Sequence, residues 1–311
     1  RANFGEVVFT PDGEIGLVAS TEDGSVGIFK FDASGAPVVI NPKYKDGFYA
    51  SKIVMDPSGE RFYVVDQNWP ENGGGVFSVR LGCDGTPHSE GKVFSSKNSY
   101  ALNLIAARPG QVFLFAPEAL NSPADTNAHL LSWGAPPTLV ASVNAFADDD
   151  AIVPDGRVTP DGRWALIADN NAYSGTGIRV AVVELQAQAL RRVQTLSPFT
   201  DPVQVVPSPY GNAALVVEGE GNHIKVLDLD PSNANAPFSI VGALSYVGRR
   251  PQLPYQAVVM DRGTLRGRVL VSELEGIRQV QFQPDGTVTD LGLTPFLSGM
   301  EGIAGAMGVQ P

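Results

Sequence analysis

"FTPDGEIGLVASTEDGSVGIFKFD" (residues 9–32) sets three short apolar runs between two turns. The first run ends in Thr10-Pro11-Asp12-Gly13, where Pro presets one turn dihedral and Gly accepts the left-handed one. The second run, Ile15 to Ala19, ends at the polar turn Thr21–Gly24, and the third spans Val26 to Phe31. Each run has strand length and strand composition. The stretch is therefore either a local pair of hairpins or one unit of something that repeats.

It repeats. "FTPDG" ends at Gly13, "MDPSG" at Gly59, "AARPG" at Gly110, "VTPDG" at Gly162, "PSPYG" at Gly211 and "VMDRG" at Gly263, at intervals of 46, 51, 52, 49 and 52 residues. After each Gly come a β-rich run, a turn, a third run and a weaker fourth. "VVELQAQALRRVQ" is the longest segment with helical spacing, and it reads as strand, turn, strand. Four-stranded units of this length, each unable to bury both faces alone, predict an all-β propeller.

Six complete repeats cover residues 6–51, 52–101, 102–154, 155–202, 203–254 and 255–301 of one domain spanning 1–311. Residues 302–311 then read as a lone C-terminal inner strand, which leaves six or seven blades open. The expected innermost strands are 6–10, 52–56, 102–107, 155–159, 203–207 and 255–260.

Composition narrows the partners. The formal charge is −11, which excludes nucleic acid as the expected partner, because phosphate backbones need clustered Lys and Arg. No apolar run reaches membrane-spanning length, so no transmembrane segment is expected. The single cysteine, Cys83, forms no internal disulfide and lies in a turn. The chain begins at Arg1 rather than Met, as a trimmed chain would, and an extracytoplasmic location (periplasmic, secreted or surface) is the expectation.

In a blade the start of strand one shares a face with the loop between strands two and three. Seven residues before each turn Gly on that face stand Glu6, Lys52, Asn103, Asp155, Gln204 and Gln256, all polar within apolar strands. They are the candidate ligand-binding ring at a channel mouth, and the alternative is a ring that is simply solvated. Glu6, Asp155 and Arg157 are the candidate acid–base and oxyanion groups. Glu6, Asn103, Asp155 and Gln204 are the candidate metal ligands. No cofactor is certain, and Ca²⁺ is the ion such oxygens, or the run Asp148-Asp149-Asp150, could hold.

An acid also ends strand two of each repeat: Glu22 or Asp23, Asp66, Glu118, Asp169, Glu218 and Glu273. These read as turn caps that accept backbone N–H bonds. The loop aromatics, including Phe48, Phe146, Phe199 and Tyr246, read as packing between blades. Of the three histidines, His88 and His129 sit in turn or edge contexts. His223 begins a third strand on the working face, where an edge residue is the expectation. No pair of them has zinc-ligand spacing.

The turns "FTPDG" and "DPSGERFYVV" and the third-strand segments "DGSVGIFKFDASG" and "EGNHIKVLDLD" resemble the lactonase-type propellers, the 6-phosphogluconolactonase-like and YVTN-repeat proteins. The resemblance implies the blade architecture over nearly the whole chain. It implies an activity less firmly. The family's enzymes carry Gly-Pro-Arg-His and His-Pro stretches before the blade turn, and the segment here reads "DPVQVVPSPYG". Propeller lactonases can also be metal-dependent, which is what brings the Glu6–Asn103–Asp155–Gln204 set into view. Three readings stand. The chain is a binding or scaffold propeller for a protein or small polar ligand, a lactonase-like hydrolase, or a structural subunit of a surface assembly. Whether it is an enzyme stays open.

Overall fold

The computed structural model describes residues 4–20, 22–66, 75–94, 103–108, 111–115, 128–132, 138–146, 155–170 and 178–295, with only the backbone course for 4–6, 103–108 and 112–115. The closing strand expected at 302–311 and the run Asp148–Asp150 lie outside these residues.

The described residues form six four-stranded sheets, each a simple meander in chain order. The first holds β1 (Phe4–Phe9), β2 (Ile15–Ser20), β3 (Val26–Phe31) and β4 (Pro37–Tyr44). The second holds β5 (Ala50–Met55), β6 (Arg61–Asp66), β7 (Gly75–Leu81) and β8 (Pro87–Phe94). The third holds β9 (Asn103–Arg108), β10 (Gln111–Phe115), β11 (Ala128–Ser132) and β12 (Thr138–Val143). The fourth holds β13 (Gly156–Val158), β14 (Trp164–Asp169), β15 (Arg179–Leu185) and β16 (Leu190–Leu196). The fifth holds β17 (Pro202–Pro207), β18 (Ala213–Glu218), β19 (His223–Leu229) and β20 (Phe238–Ala243). The sixth holds β21 (Ala257–Val259), β22 (Arg268–Glu273), β23 (Gly276–Phe282) and β24 (Val288–Pro295).

The fold is a β-propeller of four-stranded blades. No two of the expected innermost strands pair in one sheet. The segment "VVELQAQALRRVQ" is the β15–β16 hairpin, closed by Gln186 N–H donating to the Ala189 carbonyl at 2.9 Å. The chain packs as two compact units that divide between Ser142 and Val143. Sheets one to three lie in the first and sheets four to six in the second, and the fifty-residue repeat runs on through both.

Local chemistry explains the turns. Thr10 Oγ1 donates to Asp12 Oδ1 at 2.5 Å and accepts from Ile15 N–H at 3.0 Å, while Asp12 Oδ1 accepts from Glu14 N–H at 3.0 Å. Thr159 and Asp161 reproduce the set: 2.5 Å between them, 3.0 Å from Trp164 N–H to Thr159 and 3.0 Å from Arg163 N–H to Asp161. The Gly that ends each described turn is left-handed, at φ 75° for Gly13 and 70° for Gly162, which an L side chain resists.

Packing follows the pleat. In β18, Ala214 and Val216 join a buried cluster with Trp164, Leu166, Val205 and Leu227. Ala213, Leu215 and Val217, which alternate with them, join a second cluster with Val269, Val271 and Phe282. One strand thus has both faces covered, by the blade before and the blade after. In the first unit, Leu17, Ile28, Phe48, Ile53 and Phe62 form the seam of blades one and two. The fourth strands are the exposed ones, with Val39 at 62% and Val241 at 69%.

Candidate functional site

The polar position of the first strands is built differently from blade to blade. In β1, β5 and β17 the register slips at or beside it, between Phe4 and Val7, Ala50 and Lys52, and Pro202 and Gln204. Such irregularities bend a strand and re-aim its side chains. Glu6 and Asn103 lie in β1 and β9, with side chains outside the described residues. Lys52 is half-buried on β5.

In the second unit two of these side chains, Asp155 and Gln204, turn sideways. Asp155 is buried, and its Oδ2 accepts from Val205 N–H on β17 at 3.2 Å. Gln204 is buried one blade further on. Its Nε2 donates to the Ala257 carbonyl at 3.0 Å, and its Oε1 accepts from Ala257 N–H. Each residue reaches the backbone of the next first strand. Gln256 holds the corresponding place in blade six, and its buried Oε1 has no hydrogen-bond partner among the described residues.

Arg157, second residue of β13, lies with its Nε 3.4 Å from the Asp155 carboxylate. Its side chain is 31% exposed while that of Asp155 is 6% exposed. The guanidinium is thus held by a buried carboxylate and partly exposed. It can donate to a carbonyl or a carboxylate.

Of the four candidate metal ligands, only Asp155 and Gln204 have described side chains, and both already have partners. The Asp155 carboxylate lies beside the Arg157 guanidinium, and Gln204 Oε1 accepts from Ala257 N–H. Among the described residues no three His, Cys, Asp or Glu side chains come together as a metal group.

The strand-two acids do more than cap turns. Asp23 does cap one, accepting from Ser25 N–H at 3.1 Å. Its carboxyl is held well below the usual range by Lys43, then by Ser25 and Ser20. In the second unit the acids also take a cation from strand three, and a loop aromatic covers that cation. Asp169 pairs with Arg179 at 3.0 Å, under the Phe146 ring at 4.7 Å. Glu218 pairs with Lys225 at 3.5 Å, which lies 4.9 Å from the Phe199 ring centroid. Glu273 pairs with Arg278, 5.4 Å from the Tyr246 ring centroid. Burial pushes the Tyr246 phenol up from its ordinary value. Phe48, Phe146 and Phe199 are buried, as blade packing requires, whereas Tyr255 is 57% exposed.

The histidines separate. His88 is exposed on β8. The Nδ1 atom of His129 lies 2.8 Å from Ser142 Oγ, so it is a satisfied edge residue. His223 departs from the edge expectation, because its Nδ1 is buried and has no partner among the described residues. Cys83 is exposed, in the β7–β8 turn.

No protein-family model matches the sequence, and no curated protein matches it. Solved structures do match. A Bacteroides uniformis protein provisionally assigned as a 6-phosphogluconolactonase is similar at 15% identity and TM-score 0.69, over 92% of this chain and 83% of that one. The periplasmic gluconolactonase PpgL of Pseudomonas aeruginosa is similar at 18% identity and TM-score 0.67, over 92% and 84%. The Cps50 (Swd1) β-propeller domain of Myceliophteria thermophila is similar at 13% identity and TM-score 0.63, over 98% and 90%. At these identities the likeness establishes the β-propeller architecture and leaves the chemistry to the site.

Proposed function

We propose that the protein is a lactonase-like hydrolase, acting on a small polar lactone where the first strands of the second unit begin. The observation that carries this reading is Arg157, a charged donor held beside a buried carboxylate with its side chain 31% exposed. The fold shared with PpgL and the Bacteroides protein supports it. Hydrolysis places negative charge on the lactone carbonyl oxygen as water adds, and a pre-positioned guanidinium stabilises that charge. The net charge of −11 favours a neutral sugar lactone over a phosphorylated one. An extracytoplasmic location, like that of the Pseudomonas protein, goes with this reading.

The test is turnover of a panel of sugar lactones, measured above their spontaneous hydrolysis. Arg157→Ala is expected to lower kcat by about a hundredfold. Arg157→Lys should retain part of the rate. A panel with no turnover above background, or an unaffected Arg157→Ala variant, overturns the reading. Chelation by EDTA is expected to leave turnover unchanged. Loss of turnover in EDTA with recovery in Ca²⁺ would return Glu6, Asn103, Asp155 and Gln204 to the role of ligands.

A second reading is a binding propeller without turnover. It is favoured by "DPVQVVPSPYG", which lacks the Arg-His pair of the enzymes it resembles, and by the use of Gln204 to hold β21. Under that reading calorimetry shows saturable binding of a polar ligand or protein, abolished at Arg157 or Lys52, with no product formed.

A further inference from the structure

Two buried polar atoms without partners among the described residues belong to residues that face each other. Glu218 ends β18, His223 begins β19, and the two are directly paired across the strands. Their side chains therefore leave the same face of the sheet at neighbouring positions. The Glu218 side chain is fully buried. Its Oε1 is held from two sides, by Thr200 N–H at 2.6 Å and the Lys225 ammonium at 3.5 Å. Its Oε2 accepts no hydrogen bond, and neither does His223 Nδ1 make one. Buried polar atoms almost always find partners, so two orphans on opposed residues point to each other.

The surroundings are fixed. Lys225 also donates to the Pro198 carbonyl at 2.7 Å and lies over the Phe199 ring, which anchors the carboxylate it neutralises. His223 itself is half-buried. Asp155, by contrast, is engaged by Val205 N–H and Arg157.

We propose that Glu218 and His223 form a general-base dyad. Glu218 Oε2 accepts the Nδ1 proton and sets the tautomer, which leaves Nε2 as the base. The inference rests on the lactone-hydrolase reading. Water oxygen bonds to the carbonyl carbon while its proton passes to Nε2. The ring C–O bond then breaks, and that proton passes from Nε2 to the departing ring oxygen. The product is the hydroxy acid, whose carboxyl proton goes to solvent. One water is consumed and no oxidant is needed. His223 is the catalytic residue, and Glu218 is a positioning residue.

The experiment has two arms. In the first, nitrogen-15 NMR reads the imidazole tautomers, which three single substitutions assign because the chain has three histidines. His223 is expected to carry its proton on Nδ1, and Glu218→Gln is expected to shift or broaden that signal while leaving the His88 and His129 rings unmoved. In the second, His223→Gln is expected to lower kcat on a hydrolysed lactone about a hundredfold with KM little changed. Added imidazole should restore part of the rate to His223→Ala. Full kcat in His223→Gln overturns the proposal, as does a His223 ring protonated on Nε2 and indifferent to Glu218→Gln. If the parent protein hydrolyses no lactone, the hydrolase reading and the base role fall together, while the NMR arm still decides whether the pair exists.

Discussion

Arg278→Ala is expected to cost about 3–5 kcal/mol of stability, because it strands two buried carboxylates. Arg278 is fully buried on β23. Its Nε pairs with Glu273 at the end of β22, and its Nη1 lies 2.6 Å from Asp290 Oδ2 on β24. Its Nη2 donates to the Arg249 carbonyl at 2.8 Å. The acids in turn hold the loop: Glu273 accepts from Gln252 N–H at 3.2 Å and Asp290 from Val247 N–H at 2.7 Å. One guanidinium thus ties three strands of the sixth blade to the segment that leads into β21. Removing it leaves Glu273 and Asp290 facing each other without a cation. Urea denaturation checks the size of the loss. Adding Glu273→Gln and Asp290→Asn to Arg278→Met is expected to recover part of it, since the uncompensated charge is then gone. A single Arg278→Ala variant within about 1 kcal/mol of the parent would show that the carboxylates find other partners.

The blades were legible because each turn carries its own chemistry. Thr10 with Asp12 and Thr159 with Asp161 make the same hydrogen bonds in two blades, and the residues that make them are those the repeat aligns. The polar positions of the first strands were equally visible, but their partners were not. Asp155 and Gln204 bind backbone atoms of Val205 and Ala257, and a peptide N–H has no mark in a sequence. The cations that meet the strand-two acids were hidden for another reason. Arg179 follows Asp169 by ten residues, whereas Arg278 follows Glu273 by five, because the loop between strands two and three changes length. A fixed spacing cannot find such a set, although a base early in strand three, after an acid that ends strand two, can. His223 looked like an ordinary edge histidine because nothing in its neighbours reports that Nδ1 is buried without a partner.

Trp164 separates the contribution of shape from that of the indole N–H. It opens β14 at 0% exposure, within the cluster of Leu166, Val205, Ala214, Leu229 and Phe238 that joins blades four and five. The Arg163 guanidinium lies 4.4 Å from its ring centroid. Arg163 also donates to Glu184 and, at 3.3 Å, to the Pro231 carbonyl of the next blade. Burial alone would raise the Glu184 carboxyl, but hydrogen bonds from Arg191, Gln186 and Arg163 hold it below its usual value. The charged layer is therefore in place above the ring whatever the ring is. Trp164→Ala empties the seam and is expected to cost about 3–5 kcal/mol. Trp164→Phe loses one ring of contacts, yet it also removes a buried Nε1–H that has no acceptor among the described residues. These two terms oppose each other, so the Phe variant is expected within about 1.5 kcal/mol of the parent. Paired denaturation curves for the two variants decide it. A Phe variant as unstable as the Ala variant would mean that the indole N–H is bonded after all and that this seam is held by a polar contact rather than by shape.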